Sequence, residues 1–278
     1  MRNFAAFILT HGRPDNVITF GQLRKQGYTG PIYLILDNDD PTIDRYRANF
    51  GSENIIVFDK KEMADKCDEA NNFDDRKVVV HARNASFDIA KELGLTHFVQ
   101  LDDDYYLFMT RDSRCGKKIG NLDAAFAATL DFLDISRAAT VAWGQGGDFI
   151  GGFSGLRIKR KAMNSFFCRV DRRFWFLGTI NEDVNTYVCE GQRGVLFFTF
   201  TGLQVDQKET QSQVGGLTDI YLQRGTYVKS FTSVLFCPAS VTVAMMTSKN
   251  QRLHHLINWG AAVPCIVPEY VRRVDARP

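Results

Sequence analysis

The sequence HFVQLDDDYY, residues 97–106, joins an apolar run to three consecutive aspartates and a pair of tyrosines. The apolar run predicts a buried strand, and the aspartates follow where that strand ends. Three adjacent carboxylates repel one another unless a cation or water relieves the repulsion. Hard oxygen ligands of this kind suit Mg²⁺ or Mn²⁺, which complete their coordination with substrate phosphates. A solvated acidic turn is the alternative interpretation.

The residues around this stretch alternate between strand-like and helix-like segments, which is typical of a βαβ sheet. The predicted strands are Phe4–Leu9, Ile32–Leu36, Asn54–Phe58 and His97–Leu101. The predicted helices are Asp15–Gln26, Thr42–Phe50, Ala82–Leu93 and Leu122–Ile135, the last with Asn121 as its cap. The sequence therefore predicts an α/β fold.

Three of these strands end in polar or acidic residues. The clusters are residues 10–13 (Thr-His-Gly-Arg), 37–40 (Asp-Asn-Asp-Asp) and 102–104 (Asp-Asp-Asp). In open α/β sheets, ligands bind outside the carboxyl ends of the strands. We therefore expect the three clusters to meet in one crevice.

The composition is that of a folded chain without a strong charge bias. Of the 278 residues 45% are hydrophobic, and 34 Lys and Arg against 32 Asp and Glu leave a net charge of +2. This excludes a disordered acidic chain and a polycation. The six cysteines form no C-x-x-C pair, and the phosphate-loop, dinucleotide, zincin and serine-hydrolase signatures are missing. No apolar stretch approaches a membrane span of roughly 18 residues, so we expect a cytoplasmic protein with no membrane association.

Several motifs resemble those of a known enzyme family. LDDDY, residues 101–105, resembles the D-x-D motif of GT-A glycosyltransferases, and HARNASFDIAKELGLTHFVQLDDD, residues 81–104, resembles the helix and strand that precede it. INEDVNTYV, residues 180–188, is similar to the x-E-D motif of inverting members. LHHLINW, residues 253–259, and VPCIVPEYVRR, residues 263–273, resemble the DNA-modifying glycosyltransferases associated with TET/JBP-type oxygenases, the group related to the base J glucosyltransferase.

The resemblance implies a GT-A-type, Rossmann-like mixed sheet flanked by helices, in a single compact domain over residues 1–278. Residues 1–110 would form the nucleotide-sugar half. Residues 111–278 would form the acceptor half and end in a metal-ligating tail. The donor would be a UDP-sugar, and the cofactor would be Mn²⁺ or Mg²⁺.

The resemblance also assigns roles to particular residues. Asp104, with help from Asp102, would hold the metal, and either His254 or His255 would be a third ligand. An ordinary helix with one buried and one exposed imidazole explains the two histidines equally well. The positions that match nucleotide-sugar contacts are Thr10, His11, Arg13, Asp37, Arg83 and Asp103.

The x-E-D match supplies the candidate base. Asp183 would take the proton of the acceptor, and Glu182 is the alternative base or an acceptor ligand. Residues 181–183 also read as a helix start with acids at the positive end of the helix dipole. The two interpretations are compatible, because a helix start that points at a crevice is a good place for a base.

The acceptor half interleaves cations with aromatic residues between positions 157 and 176. Such a segment can bind phosphates and stack a base, although solvated charges over core aromatics explain it as well. The residues assigned to DNA are Lys159, Arg160, Arg172 and Arg173.

The resemblance implies 5-hydroxymethylcytosine or 5-hydroxymethyluracil in DNA as the acceptor, which would fit a phage-encoded enzyme in the host cytoplasm. One alternative is a transferase that acts on a glycan, protein or small molecule. The others are a non-catalytic nucleic-acid-binding module on a transferase-like scaffold and a metal-dependent nuclease or phosphotransferase.

Overall fold

The computed structural model describes residues 2–68, 79–112, 115–145, 165–207, 226–245, 253–263 and 266–273. Its centre is a mixed sheet of nine strands in the order β3-β2-β1-β4-β8-β7-β9-β5-β6. These strands are β1 Phe4–Leu9, β2 Ile32–Asp37, β3 Ile55–Phe58, β4 His97–Asp102, β5 Tyr105–Arg111, β6 Gly116–Lys118, β7 Thr140–Gly144, β8 Phe166–Arg169 and β9 Phe197–Gln207. A separate antiparallel pair consists of β10 Val241–Met245 and β11 Leu253–Ile257.

Helices connect most of these strands. They are α1 Ile18–Lys25, α2 Ile43–Phe50, α3 Lys60–Ala64, α4 Val80–Glu92, α5 Leu122–Ser136, α6 Glu182–Gln192, α7 Thr226–Phe236, α8 Trp259–Ala262 and α9 Glu269–Arg272. No helix in the described part of the chain combines the length and the apolar character needed to cross a bilayer.

The strand order creates a switch point between β1 and β4. The chain runs from β1 outward through β2 to β3 and then returns to the other side of β1 as β4, all four strands being parallel. Leu9 and Asp102 are register partners at the carboxyl ends of β1 and β4. A crevice opens where neighbouring connections leave in opposite directions, and this is where open α/β sheets bind ligands.

Helices cover the sheet on both faces. One core contains Phe87 of α4 and Val184 of α6 together with Phe98 of β4. The other contains Leu23 of α1 and Phe126 of α5. Full burial of a side chain of this size contributes about 1.5 to 3 kcal/mol, so the helices are held mainly by these apolar faces. Both α4 and α6 therefore lie on the same side of β4.

The predicted α/β class, with helices flanking a mixed sheet, is confirmed. All four predicted strands form, with ends shifted by at most one residue, and the Asn121 side chain caps α5 by accepting a hydrogen bond from the Ala124 N–H at 3.0 Å. The first helix begins at Ile18 and not at Asp15, because the preceding residues turn back to the crevice. In that turn the backbone N–H of Arg13 donates to the Tyr46 hydroxyl at 2.8 Å.

Candidate active site

The turn that carries the three aspartates is held from below by Thr19 of α1. Its hydroxyl donates to the carbonyl of Asp102 at 2.6 Å and accepts from the N–H of Tyr105 at 2.9 Å. The Thr19 N–H donates to the carbonyl of Asp103 at 3.1 Å. Three contacts from one buried residue to backbone groups hold this turn in place.

The middle aspartate faces the end of β1. Asp103 is buried and accepts a hydrogen bond from the Thr10 hydroxyl at 2.7 Å and a longer one from Arg13 at 3.4 Å. Burial raises the pKa of Asp103, although Thr10 and Arg13 act in the opposite direction. The Tyr46 hydroxyl lies 2.8 Å from the Thr10 hydroxyl. Asp103 therefore joins the ends of β1 and β4, and its contact with a ribose or sugar stays a prediction.

The outer two aspartates are the residues assigned to the metal. The Asp102 side chain is 26% exposed and lies 3.3 Å from the Arg83 guanidinium, and Asp104 is half-buried. Burial raises the pKa of Asp102 to about 7, and the neighbouring Asp104 and Asp103 add to the shift while Arg83 opposes it. A cation bound here would relieve that repulsion.

A second cluster lies at the ends of β1, β2 and β3. The Asp37 carboxylate is 2.8 Å from His11 Nδ1 on one oxygen and 2.8 Å from Lys60 Nζ on the other. Burial alone would raise the pKa of Asp37, but the hydrogen bonds from His11 and Lys60 outweigh it and lower the pKa to about 2. The Asp40 carboxylate accepts from the Gly12 N–H at 2.7 Å. The predicted convergence of the three polar clusters is thus found in the structure.

The start of α6 reaches the same edge of the sheet. Glu182 is buried and lies 3.0 Å from Arg83 Nε, so it is committed to an ion pair. Its neighbour Asp183 is half-buried, and among the described residues it forms no hydrogen bond or ion pair. Of the two predicted acids, Asp183 is therefore the one available to a ligand.

Arg83 lies beneath the crevice and not in it. Its side chain is 1% exposed, with its charge between Asp102 and Glu182 and its plane over the ring of Phe166 at 5.0 Å. Direct contact between Arg83 and a nucleotide stays a prediction, because these contacts direct the guanidinium toward protein carboxylates.

The two histidines assigned to the metal lie on strand β11, so the alternative interpretation of a helix is wrong. His254 and His255 are half-buried, and their rings meet edge to face at 4.2 Å. Within the described ranges, no three His, Cys, Asp or Glu side chains are grouped so that they could hold a metal ion. The role of either histidine as a ligand stays a prediction.

The two described arginines assigned to DNA make contacts inside the protein. Arg172 donates to the carbonyls of Leu133 at 2.7 Å and Ala138 at 3.0 Å, which closes the carboxyl end of α5. Arg173 pairs with Asp88 and stacks on Trp175 at 4.1 Å. These contacts do not favour their assignment to phosphate. Lys159 and Arg160 lie outside the described residues.

Three residues of the site were not predicted from the sequence. Thr19 and Tyr46 act through hydrogen bonds to segments far away along the chain, which no local pattern reveals. Lys60 follows the end of β3 by two residues. Asp59 and Lys60 directly follow β3, so the pattern of polar residues after a strand marks Lys60 as well.

A mixed sheet flanked by helices on both faces, with a crevice at its switch point, fits the fold of GT-A-type glycosyltransferases. Residues 4–216, about three quarters of the chain, match the family described as TET-Associated Glycosyltransferase. The chain belongs to this family. No curated protein matches it.

Solved structures that the chain resembles have low sequence identity to it. A fragment of S. aureus TarS, in complex with UDP, is 12% identical over 74% of this chain and 60% of that chain, with a TM-score of 0.44. A mannosyltransferase from Pyrobaculum calidifontis, in complex with GDP-Man and Mn²⁺, is 11% identical over 84% of this chain and 65% of that chain, with a TM-score of 0.48.

The glucosyl-3-phosphoglycerate synthase of Mycobacterium tuberculosis, in complex with Mn²⁺ and UDP-glucose, is 10% identical. It covers 98% of this chain and 92% of that chain, with a TM-score of 0.46. The chain spans less than two thirds of the length of the TarS fragment and of the mannosyltransferase. The family match, and not these similarities, carries the assignment.

Replacing Arg172 with Ala should destabilise the fold. The change removes a charged donor from carbonyls at the end of α5, and we expect a loss of about 1 to 3 kcal/mol in the free energy of unfolding. Thermal melting measures this loss, with Lys117→Ala as the control because Lys117 is exposed on β6. An unchanged melting temperature, together with a flatter salt dependence of DNA binding, would show that Arg172 binds DNA and does not stabilise the fold.

His11 should titrate above the usual range of a histidine. The hydrogen bond to Asp37 raises the pKa of His11, so the protonated ring stabilises the folded state. Because the folded pKa is the higher one, this stabilisation is complete below about pH 6.5 and is lost as the pH rises through the folded value. His11→Gln should therefore lower the melting temperature more at pH 6 than at pH 9. A deficit independent of pH would show that the ring charge contributes nothing.

Proposed function

We propose that this protein transfers a sugar from a UDP-sugar to the hydroxyl of a 5-hydroxymethylpyrimidine in DNA, with inversion at the sugar. The family supplies the reaction class, glycosyl transfer. One observation supports the catalytic arrangement above all. The carboxylates after β4 and the acid-bearing start of α6 lie at the same edge of the sheet, on either side of Arg83.

The donor would bind over the ends of β1, β2 and β4. In this proposal Thr10, His11, Arg13 and Asp37 line the nucleotide side, and residues 1–110 form the nucleotide-sugar half. Asp37 is held as a carboxylate by His11 and Lys60. A fixed carboxylate of this kind can accept hydrogen bonds from a base or a ribose.

The residues present fit a divalent cation. Asp102 and Asp104 offer hard oxygen donors two positions apart, and Mg²⁺ or Mn²⁺ needs only one or two protein carboxylates when a diphosphate supplies further ligands. Once bound, the cation would neutralise charge on the departing diphosphate.

Asp183 would act as the base. The proton of the acceptor hydroxyl passes to its carboxylate, the hydroxyl oxygen forms a bond to C1 of the sugar, and the bond from C1 to the diphosphate oxygen breaks with release of UDP. Displacement at the opposite face inverts the configuration. Glu182 is held by Arg83 at 3.0 Å, which leaves the base role to Asp183.

The proposal that DNA is the acceptor rests on the family and on the C-terminal motifs, and not on a basic surface among the described residues. Arg172 and Arg173 are engaged within the protein, so phosphate contacts would have to come from other residues of the acceptor half, residues 111–278. Transfer to a glycan, a protein or a small molecule would use the same donor site. The acceptor therefore has to be tested directly.

Replacing Asp183 with Asn should leave donor binding intact and lower kcat about 10²- to 10⁴-fold, the usual contribution of a positioned base. Calorimetry with UDP and Mn²⁺ measures binding, and release of UDP measures turnover. Asp131→Asn is the control, because it makes the same chemical change at an exposed side chain of α5. Near-normal turnover in Asp183→Asn would place the base elsewhere.

Nucleoside mass spectrometry tests the acceptor. DNA that contains 5-hydroxymethylcytosine or 5-hydroxymethyluracil is incubated with Mn²⁺ and each of several UDP-sugars. We expect one base to gain the mass of a sugar, and we expect the gain to vanish in Asp104→Ala. Slow release of UDP without a mass gain on any DNA would keep the transferase and reject DNA as its acceptor.

A further inference from the structure

The first turn of α4 connects the two sides of the crevice. Arg83 directs Nη2 to Asp102 at 3.3 Å and Nε to Glu182 at 3.0 Å. Asp102 belongs to the donor side and precedes the remaining aspartates, whereas Glu182 precedes the candidate base. One planar guanidinium therefore contacts both catalytic segments, which are 80 residues apart in the sequence.

The next residue strengthens this connection. The Asn84 side chain donates to the carbonyl of Phe176 at 3.0 Å and accepts from the N–H of Phe176 at 2.8 Å. The segment that leads to α6 is thus bound to α4 by a pair of hydrogen bonds. The ring of Phe176 also lies 5.7 Å from the Arg83 guanidinium. Consecutive residues of α4 therefore fix the start of α6 in position.

The start of α6 is also fixed from the other side. Asn181 has a left-handed backbone, with φ of 55°, and its side chain donates to the carbonyl of Lys229 in α7 at 2.6 Å. Asn185 donates to the carbonyl of Ile180 at 2.9 Å. A helix start held by α4 and α7 fixes the backbone position of Asp183.

An ionic bridge is not the arrangement that stability alone would favour. Arg83 is buried in the first turn of a helix, where the helix dipole repels a cation, and desolvation of the three charges adds a penalty. Well-packed apolar side chains often hold buried elements at least as firmly as an ion pair does. What apolar side chains cannot do is fix two carboxylates at one distance and angle, as a guanidinium fork can.

We propose that Arg83 is a positioning residue that couples donor binding at Asp102 to the alignment of Asp183 through Glu182. The proposal deepens the proposed function and rests on it. The same guanidinium binds both catalytic segments, so removal of Arg83 should weaken metal-dependent UDP binding and turnover together. Removal of Glu182 alone should lower turnover and largely spare binding, because Arg83 still holds Asp102.

The variants Arg83→Met, Glu182→Met and the double variant, each made in the whole 278-residue chain, separate coupling from stability. The single Arg83→Met variant leaves Glu182 buried without its cation and should melt early. The double variant removes the buried Glu182 charge together with Arg83 and leaves only Asp102, whose side chain is partly exposed to water, so it should melt nearer to the wild type. Arg2→Met is the matched control, because Arg2 also pairs with two acids, Asp131 and Asp134 of α5, but at the surface. Arg83→Lys tests the fork, since one ammonium replaces two directed donors.

Two measurements decide the outcome. Electron paramagnetic resonance of free Mn²⁺, with and without UDP, measures metal binding independently of activity, and release of UDP measures kcat and KM. We expect the stable double variant to bind Mn²⁺ and UDP at least 10-fold more weakly and to lose at least 100-fold in kcat. Glu182→Met should lose kcat with less than a 3-fold change in binding. Arg83→Lys should fall between the wild type and the double variant.

A double variant that melts, binds Mn²⁺ and UDP, and turns over like the wild type would overturn the proposal and leave Arg83 a structural role. Equal losses in Arg2→Met would overturn it as well. Failure of the proposed acceptor is distinguishable from either result. In that case the wild type transfers no sugar to DNA, while the Mn²⁺ and UDP binding of the variants still reports on Arg83.

Discussion

A guanidinium that is 1% exposed has to be neutralised by its neighbours, and this requirement organises the centre of the protein. Arg83 obtains that neutralisation from the last residue of β4 and the first residue of α6. The helix that carries Arg83 runs back along the sheet, so its first turn lies at the carboxyl ends of the parallel strands. The ion pairs of Arg83 therefore lie at the place where the strand order opens a crevice.

The remaining contacts hold the crevice together at the ends of β1, β2 and β4. Thr19 holds the backbone of the aspartate turn, Thr10 binds the middle carboxylate, and Lys60 with His11 holds Asp37. Each is a short polar contact between segments that are buried or half-buried, where unsatisfied groups are expensive. The acids at the two ends of the crevice, Asp37 and Asp102, therefore differ in their pKa values. Asp37 has a pKa near 2 because two cations bind it, whereas Asp102 has a pKa of about 7 because burial and adjacent carboxylates outweigh one shared cation.

The sequence predicted most of the α/β framework, because each strand there is an apolar run that ends in polar residues. It also placed Asp102 to Asp104 at a crevice and residues 181–183 at a helix start, both of which the structure shows. Contacts between segments that are far apart along the chain could not be predicted from local sequence patterns. Arg172 looked like a surface cation of an aromatic-basic segment, yet it closes a helix whose last residues lie more than 30 positions away. The two histidines of β11 carry no periodicity long enough to separate strand from helix.

The separation of these contacts along the chain bears on how the protein folds. Strands β1 to β3 and helices α1 and α2 come from the first 58 residues, and they pair with near neighbours. By contrast, Thr10 and Asp103 are 93 residues apart, and Arg83 and Glu182 are 99 residues apart. Closing long loops is slow compared with forming local structure. The acidic crevice should therefore be completed late in folding, and a partly folded chain would carry its first parallel strands without the carboxylates that meet at their ends.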